Sequence, residues 1–245
     1  MQFKKKKGDL KEDNYGRKKN TIMPRLVYIY EGTRKVSPES KRYELHGKWY
    51  FSGVYPNSEK LWDEVSEYIE NNYDTEVIEK IYILGDGASW IKTGLDILGS
   101  KTKFILDKFH LNKYIIQATS HLGDTAGTSR QAIYDSFSFE DKEYLKQRFK
   151  DILSITYKET KRKAVIKSRD YILNQWNGII KNEDFDARMC CSAEGHISHI
   201  LSDRLSSRPL GWSAVGVDKM SRLRAYKANG GKIHDLVMYK QEKEK

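Results

Sequence analysis

Three acidic residues stand where a carboxylate could do chemistry. Asp86 follows the apolar stretch IYILG and is flanked by two glycines. Asp107 ends a second apolar stretch, TKFIL, and His110 follows it by three residues. Strand ends in α/β folds are where catalytic groups are mounted, although Asp-Gly is also common in turns. For Asp86, both a simple turn and an active site therefore stay open.

The third acid, Glu194, stands on a predicted helix with an apolar stripe. At about 100° per residue, it projects between Leu201 and Leu205, inside that stripe. An inward-facing carboxylate needs a basic partner, hydrogen bonds or a metal ion. We expect Glu194 to face the core, either in a salt bridge with Arg204 or Arg208 or as part of a catalytic site.

Carboxylates that converge from several elements suit the cleavage and transfer of phosphodiesters. Two divalent ions about 3.5–4 Å apart can clamp the attacking and leaving oxygens, and hard oxygen ligands select Mg²⁺ or Mn²⁺. The glycines beside Asp86 would let metal and nucleic acid approach the backbone. GDGASW lacks the ending of a phosphate loop. A zinc site from Cys190, Cys191, His196 and His199 lacks spaced cysteine pairs.

Composition adds a basic excess. The 245 residues include 44 Lys and Arg against 34 Asp and Glu, a net charge of +10. This favours polyanions as partners, nucleic acid first, and a solvated basic surface explains the charge equally well. The adjacent cysteines indicate a reducing compartment without a disulfide framework. With no apolar run of membrane-spanning length and no secretory signal, we expect a soluble, cytoplasmic protein.

Hydrophobic periodicity predicts the elements that must position the acids. An antiparallel strand pair is predicted for RLVYIYEG and KWYFSGVY, followed by a helix capped by Asn57 or Ser58. Two buried parallel strands are predicted for VIEKIYILGDG and TKFILDKFH, with the short helix WIKTGLDILG between them. The pattern is helical from Leu111 to Lys181, and a last helix ends at Pro209. The order predicts an α/β domain.

A resemblance to a known family rests on three motifs: YILGDGASWIK, FILDKFHLNKYI and CSAEGHISHILSDRLSSRPLGWS…GVDKMSRLRAY. They resemble the insertion-sequence transposases grouped as uncharacterised protein family 0236, distant relatives of Mutator-type transposases. The resemblance covers nearly the whole chain. It implies an RNase H-like catalytic domain over residues 1–245, with a mixed sheet and a helical insertion at 111–189 before the last catalytic helix.

The resemblance also implies an Asp-Asp-Glu triad. Its second Asp matches Asp86 and its Glu matches Glu194, which would hold Mg²⁺ or Mn²⁺. The family's Cys/Asp-x-x-His element matches Asp107 to His110. His110 would position a substrate phosphate, support the neighbouring carboxylate, or be a satisfied core histidine.

The implied activity is metal-dependent DNA strand cleavage and transfer at insertion-sequence ends. Two alternatives are a catalytically inactive remnant that binds DNA and a metal-dependent nuclease of the same fold. In the family, the first Asp lies just before the segment that resembles QFKKKKGDLKE, where this sequence starts. We therefore expect a truncated copy without efficient activity, and we expect the upstream strand to restore that activity. Asp9 and Asp13 are not assigned as the first Asp of the triad.

Basic residues are predicted to contact the phosphates of double-stranded DNA. Such contacts position DNA without reading its sequence, so we expect binding with strong salt dependence and little sequence preference. Whether the chain forms a homo-oligomer stays open. The predicted contacts are Lys161, Arg162, Lys163, Lys167 and Arg169 in one helix, and Arg204, Arg208, Arg222 and Arg224 after Glu194.

Overall fold

The structure, a computed structural model, describes residues 22–180, 193–206 and 212–243. The chain divides into two compact units. The terminal unit combines Met1–Asn71 with Ser192–Lys245, and the central unit is Asn72–Cys191. The central unit is therefore an insertion between two segments of the terminal unit.

The terminal unit begins with two antiparallel strand pairs. The predicted pair is confirmed, since Arg25 of the first strand lies opposite Gly53 of the fourth. The second and third strands form an antiparallel hairpin, which lies between the paired strands along the chain and is not evident from the sequence. The helix that follows is capped by the side chain of Asn57, whose Oδ1 accepts a hydrogen bond from the Lys60 N–H at 3.1 Å. The elements are β1 (Arg25–Ile29), β2 (Gly32–Lys35), β3 (Tyr43–His46), β4 (Trp49–Gly53) and α1 (Glu59–Asn72).

The central unit contains the predicted pair of parallel strands. Ile81 lies opposite Thr102, and Gly85 lies opposite Leu106. The predicted helical stretch is confirmed up to residue 180 and belongs to the same compact unit as these strands. The insertion boundaries at 111 and 189 stay a prediction. The elements are β5 (Ile81–Gly85), α2 (Ser89–Leu98), β6 (Thr102–Leu106), α3 (Lys108–Thr119), α4 (Ala126–Ser138), α5 (Lys142–Ser154), α6 (Glu159–Asn174) and α7 (Trp176–Ile180).

The chain then returns to the terminal unit as helices. The core of this unit joins Tyr50 of β4 to apolar residues of the returning helices, among them Leu201, Leu205 and Val217. A π-helical turn, Ser198–Ser202, interrupts the first returning helix. The α-helical elements are α8 (Ala193–Ile197), α9 (Asp203–Leu205), α10 (Ala214–Ala228) and α11 (Ile233–Lys243).

The fold class is mixed α/β, as predicted. The described strands form three two-stranded sheets, β1–β4, β2–β3 and β5–β6, so a single RNase H-like sheet stays a prediction. Within the described ranges, no helix combines the length and the apolar character needed to cross a membrane.

Candidate active site

β5 and β6 bring Asp86 and Asp107 to the same edge of their sheet. The Asp107 N–H donates a hydrogen bond to the Gly85 carbonyl at 2.8 Å, which extends the pairing one residue past β6. Asp86 is exposed, and its Oδ1 accepts a hydrogen bond from the Ala88 N–H at 3.0 Å. Asp86 therefore forms the turn that Asp-Gly predicts, and that turn stands at the carboxyl end of a parallel strand.

Asp107 is a buried carboxylate whose two oxygens both have protein partners. Only 7% of the residue is exposed. Its Oδ1 accepts a hydrogen bond from the Phe109 N–H at 3.0 Å and so caps α3. Its Oδ2 lies 2.8 Å from His110 Nδ1. Since an ionised carboxylate only accepts, Nδ1 carries the proton and Nε2 of a neutral imidazole is an acceptor. Asp107 thus orients His110, which is the supporting arrangement that the sequence left open.

Two residues that the sequence analysis missed hold the turn at Asp86. Tyr171 Oη donates a hydrogen bond to the Asp86 carbonyl at 2.6 Å, and Gln175 Nε2 donates one to the Gly87 carbonyl at 3.2 Å. The Tyr171 ring also stacks on Tyr114 of α3, with centroids 3.8 Å apart. These partners lie 85 and 88 residues along the chain from the turn, so no local pattern could reveal them.

The chemistry of Tyr171 suits this holding role. Its pKa is raised by burial first, and then by the negative charges of Asp86 and Asp107 and by the neighbouring Tyr114. The phenol therefore stays protonated at neutral pH and keeps its hydrogen bond to the turn.

The glycines beside Asp86 make room for the protein itself. Gly87 has φ +80°, and a Cβ placed there would lie 2.4 Å from Gln175 Cδ. A Cβ at Gly85 would lie 2.7 Å from Ile91 Cδ1. The expectation that these glycines let metal and nucleic acid approach therefore needs correction, because protein side chains already occupy the space.

Glu194 does not face the core, so that prediction is wrong. The residue is exposed, although Leu201 and Leu205 farther along the segment are buried. The projection assumed a regular α-helix of about 100° per residue. The π turn at Ser198–Ser202 adds a residue to one turn and shifts the helical phase between Glu194 and the apolar stripe.

Several predicted DNA contacts hold the protein together instead. Arg162 Nη1 donates hydrogen bonds to the carbonyls of Leu153 at 2.6 Å and Thr156 at 3.0 Å, at the end of α5. Arg224 donates to the carbonyls of His199 and Ile200 in the π turn. These two guanidinium groups have structural roles.

Arg222 also has protein partners. Its Nε lies 3.1 Å from Asp218 Oδ1, and its Nη1 lies 3.4 Å from Glu64 Oε1. Its guanidinium carbon lies 4.9 Å from the centroid of the Tyr55 ring. This network places the Arg222 charge among acids of the terminal unit.

The remaining predicted DNA contacts differ in their surroundings. Lys163 lies 3.7 Å from Glu159, and Arg169 lies 2.8 Å from Asp170, as surface ion pairs. Such pairs contribute little to stability, so both side chains can exchange partners. Arg208, Cys190 and Cys191 lie outside the described residues. Among these remaining contacts, the exposed ones are Lys161, Lys163, Lys167 and Arg204.

A metal ion would need several donor side chains close together. Among the described residues, no three His, Cys, Asp or Glu side chains come together as they would around an ion. Asp86 fits a ligand role by its type and exposure, whereas both oxygens of Asp107 already accept hydrogen bonds. His196, part of the zinc alternative, instead places Nδ1 2.8 Å from Tyr50 Oη. Within its described residues, the central unit therefore offers Asp86 as a metal ligand but no complete site.

Comparison with known proteins adds the family. The sequence profile of the Uncharacterised protein family (UPF0236) matches residues 10–242. The chain belongs to UPF0236. A UPF0236 protein of Caldanaerobacter subterraneus subsp. tengcongensis is 44% identical over 214 residues, which cover 87% of this chain and 44% of the relative. A second, 43% identical with the same coverage, has a name that joins eleven loci of that genome.

A more distant UPF0236 relative comes from another organism. The UPF0236 protein in vanSb 3'region of Streptococcus gallolyticus is 29% identical over 216 residues, covering 83% of this chain and 44% of the relative. The chain thus spans less than half the length of the curated relatives it matches. No solved structure gives a significant match.

Proposed function

We propose that this UPF0236 chain is the catalytic part of a DNA transposase with an RNase H-like fold. Such an enzyme cleaves DNA at the ends of an insertion sequence and transfers the strands. The observation that carries the proposal is the pair Asp86 and Asp107 at the carboxyl ends of two adjacent parallel strands, the edge where α/β folds mount chemistry. The eleven loci that share one protein name in a relative's genome add support, since a mobile element multiplies its own gene.

The acids take different roles in this proposal. Asp86 is the proposed ligand for Mg²⁺ or Mn²⁺ in the central unit, and Glu194 has a ligand role through the family resemblance alone. A bound ion would stabilise charge on the attacking and leaving oxygens. Asp107 orients His110, and a doubly protonated His110 would donate a hydrogen bond from Nε2 to a substrate phosphate. Tyr171 keeps the Asp86 turn in place. Further ligands would come from the rest of a protein as long as the relatives.

The DNA partner is a duplex that carries element ends. The exposed lysines of α6, Lys161, Lys163 and Lys167, provide the phosphate contacts of the central unit. Such contacts give affinity that falls steeply with salt. The arginines that hold the α5 end and the π turn are left out of this surface.

Cleavage and joining of end-bearing duplex DNA test the proposal, with the chain within a protein of the relatives' full length. Asp86→Asn and Glu194→Gln should each lower the Mg²⁺-dependent rate by more than about 100-fold, because each removes a charged ligand. Asp96→Asn is the matched control, since Asp96 is an exposed acid of the central unit. Unchanged cleavage by Asp86→Asn would overturn the assignment, and cleavage without joined product would indicate a nuclease.

A second candidate is a DNA-binding remnant without catalysis. It is favoured by the lack of a three-ligand cluster in the described ranges. In that case the chain binds duplex DNA, and no divalent ion produces cleavage in either the short or the full-length protein. Cleavage by the full-length protein alone would instead show that residues outside this chain complete the site.

A further inference from the structure

A cavity of about 460 Å³ lies in the central unit, apart from the Asp86 turn. Residues of α2, β6, the start of α5 and the α6–α7 junction line it. Small-molecule sites typically enclose about 300–1,000 Å³. The cavity is therefore much larger than a metal ion or an inorganic phosphate needs.

The charge around this cavity has one sign. Lys92, Lys103 and Lys142 line it, and no Asp or Glu is among the described residues that do. The Lys92 ammonium also lies 5.6 Å from the centroid of the Phe104 ring. Three ammonium groups around one concave surface favour an anionic ligand, and lysine binds phosphate as a point charge.

Aromatic and amide groups accompany the lysines. Phe104 and Trp176 are buried, with 8% and 7% exposed, and both line the cavity. Gly178 lets α7 approach closely, since a Cβ there would lie 2.6 Å from Phe104 Cδ1. The exposed Asn174 and Asn177 bring amides of the kind that bond base edges. An aromatic surface beside amides suits a planar, polar ring.

Two lining residues carry polar atoms that the described protein does not satisfy. Thr102 Oγ1 and Gln175 Oε1 are buried and have no hydrogen-bond partner among the described residues. Buried polar atoms are nearly always bonded in native proteins. Both atoms are inaccessible to solvent, so the contacts to a ligand come from the other lining groups.

We propose that this cavity binds one nucleotide unit. Lys92, Lys103 and Lys142 contact the phosphate, and the base lies against Phe104 with its polar edge near Asn177. The unit is either a nucleotide of a single DNA strand or a free nucleoside monophosphate. The proposal goes beyond the function proposed above and does not need Asp86. Gln175 connects the two places, because its Nε2 also bonds the Gly87 carbonyl.

The test is calorimetric titration in EDTA with deoxyadenosine 5′-monophosphate, inorganic phosphate and a six-nucleotide single strand. Lys92→Gln and Lys103→Gln should each weaken nucleotide binding about 10-fold or more, the effect of losing a charged hydrogen bond. Asn177→Asp should weaken it as well, by adding a negative charge at an exposed position. Lys150→Gln is the matched control and should change the affinity less than about twofold, because Lys150 is exposed and does not line the cavity.

Comparing the three ligands shows whether the cavity binds a DNA strand or a free nucleotide. A single strand that binds at least 10-fold more tightly than the mononucleotide supports a DNA strand, and equal affinities support a free nucleotide. The proposal would be overturned if inorganic phosphate bound as tightly as the nucleotide. It would also be overturned if the control Lys150→Gln lost as much nucleotide affinity as Lys92→Gln and Lys103→Gln. Thermal melting of each variant confirms folding. Asp86→Asn should still bind nucleotide, so failure here and failure of the catalytic proposal are distinguishable.

Discussion

Asp107 in the central unit and Glu194 in the terminal unit both carry predicted catalytic roles, but their surroundings differ. Asp107 is buried, caps α3 and orients His110. Glu194 is exposed on a five-residue helix that runs into a π turn. Backbone pairing with the neighbouring strand fixes the position of a carboxylate at a strand end. On a helix, the direction of a side chain relative to the apolar stripe changes with any irregular turn between them. Asp107 should therefore tolerate substitution less than Glu194 does.

The largest effect is expected at the turn of the central unit. Gly87→Ala should lower the free energy of unfolding by about 3 kcal/mol, which combines left-handed strain with overpacking against Gln175. Gly123→Ala is the matched control, because Gly123 has φ +57° but no atom within 4 Å of the added Cβ. It should cost about 1 kcal/mol. Urea unfolding measures both, and equal losses would show that Gln175 does not clamp the turn.

Alanine variants of three acids sharpen the comparison directly. Asp107→Ala should cost about 2–3 kcal/mol, because α3 loses its cap and His110 loses its buried partner. Asp141→Ala, at the exposed cap of α5, should cost about 1 kcal/mol. Glu194→Ala should cost about 0.5 kcal/mol or less, as at other surface sites. A loss at Glu194 that equals the loss at Asp107 would contradict the difference between the units.

Histidines compare the two units through pH. The pKa of His196 is lowered by burial first, then by Lys48 and His199, and that of His121 by burial first, then by Lys161. The unfolded chain binds protons at the ordinary pKa of 6.5, so it takes up more protons than the folded chain just below that pH. Stability should therefore fall as the pH drops below 6.5.

The variants His196→Gln and His121→Gln assign this pH dependence to each unit. Urea unfolding at about pH 7 and about pH 5 should show a smaller decrease in each variant than in the unmodified chain. An unchanged decrease in both variants would show that neither histidine is buried in its neutral form.

The smallest effect concerns DNA affinity. Lys161→Ala and Lys167→Ala should each reduce the salt slope of duplex binding by about one, the loss of one phosphate contact, with the stability unchanged. Arg162→Ala is the contrasting variant and should lower stability, because it frees the carbonyls of Leu153 and Thr156. Fluorescence anisotropy at several salt concentrations measures the slope. If the salt slopes of Lys161→Ala and Lys167→Ala equal that of the unmodified chain, α6 is not part of the DNA-binding surface.

The elements that follow a clear period could be predicted from the sequence. The β1–β4 pair has runs of aromatic and β-branched residues, β5 is a continuous apolar run, and β6 ends in the apolar residues Phe104, Ile105 and Leu106. The β2–β3 hairpin could not be predicted, because GTRK has no apolar face and YELH places only Tyr43 and Leu45 on one. Element type depends on local patterning, and these two strands lack it.

The candidate site could be predicted only in part, for a similar reason. Asp86, Asp107 and His110 are visible as residues at strand ends. The hold of Tyr171 and Gln175 on the turn is a contact across more than 80 residues of chain, which one sequence does not encode as a pattern. The predicted direction of the Glu194 side chain is wrong because a π turn has no periodic pattern that the sequence would show.

Side chains of α10 and of Asn229, which follows it, bond the backbone at the edge of β4, and this affects how the terminal unit can pair with other strands. Asn229 bonds both the N–H and the carbonyl of Tyr50, at 2.8 Å and 2.9 Å, and Asp218 accepts the Val54 N–H at 2.8 Å. These side chains bond the backbone of Tyr50 in β4 and of Val54 just after it, as a neighbouring strand would. An exposed strand edge recruits other chains, and here side chains of the same unit occupy part of that edge. A strand that joined the sheet beside β4 would have to displace them.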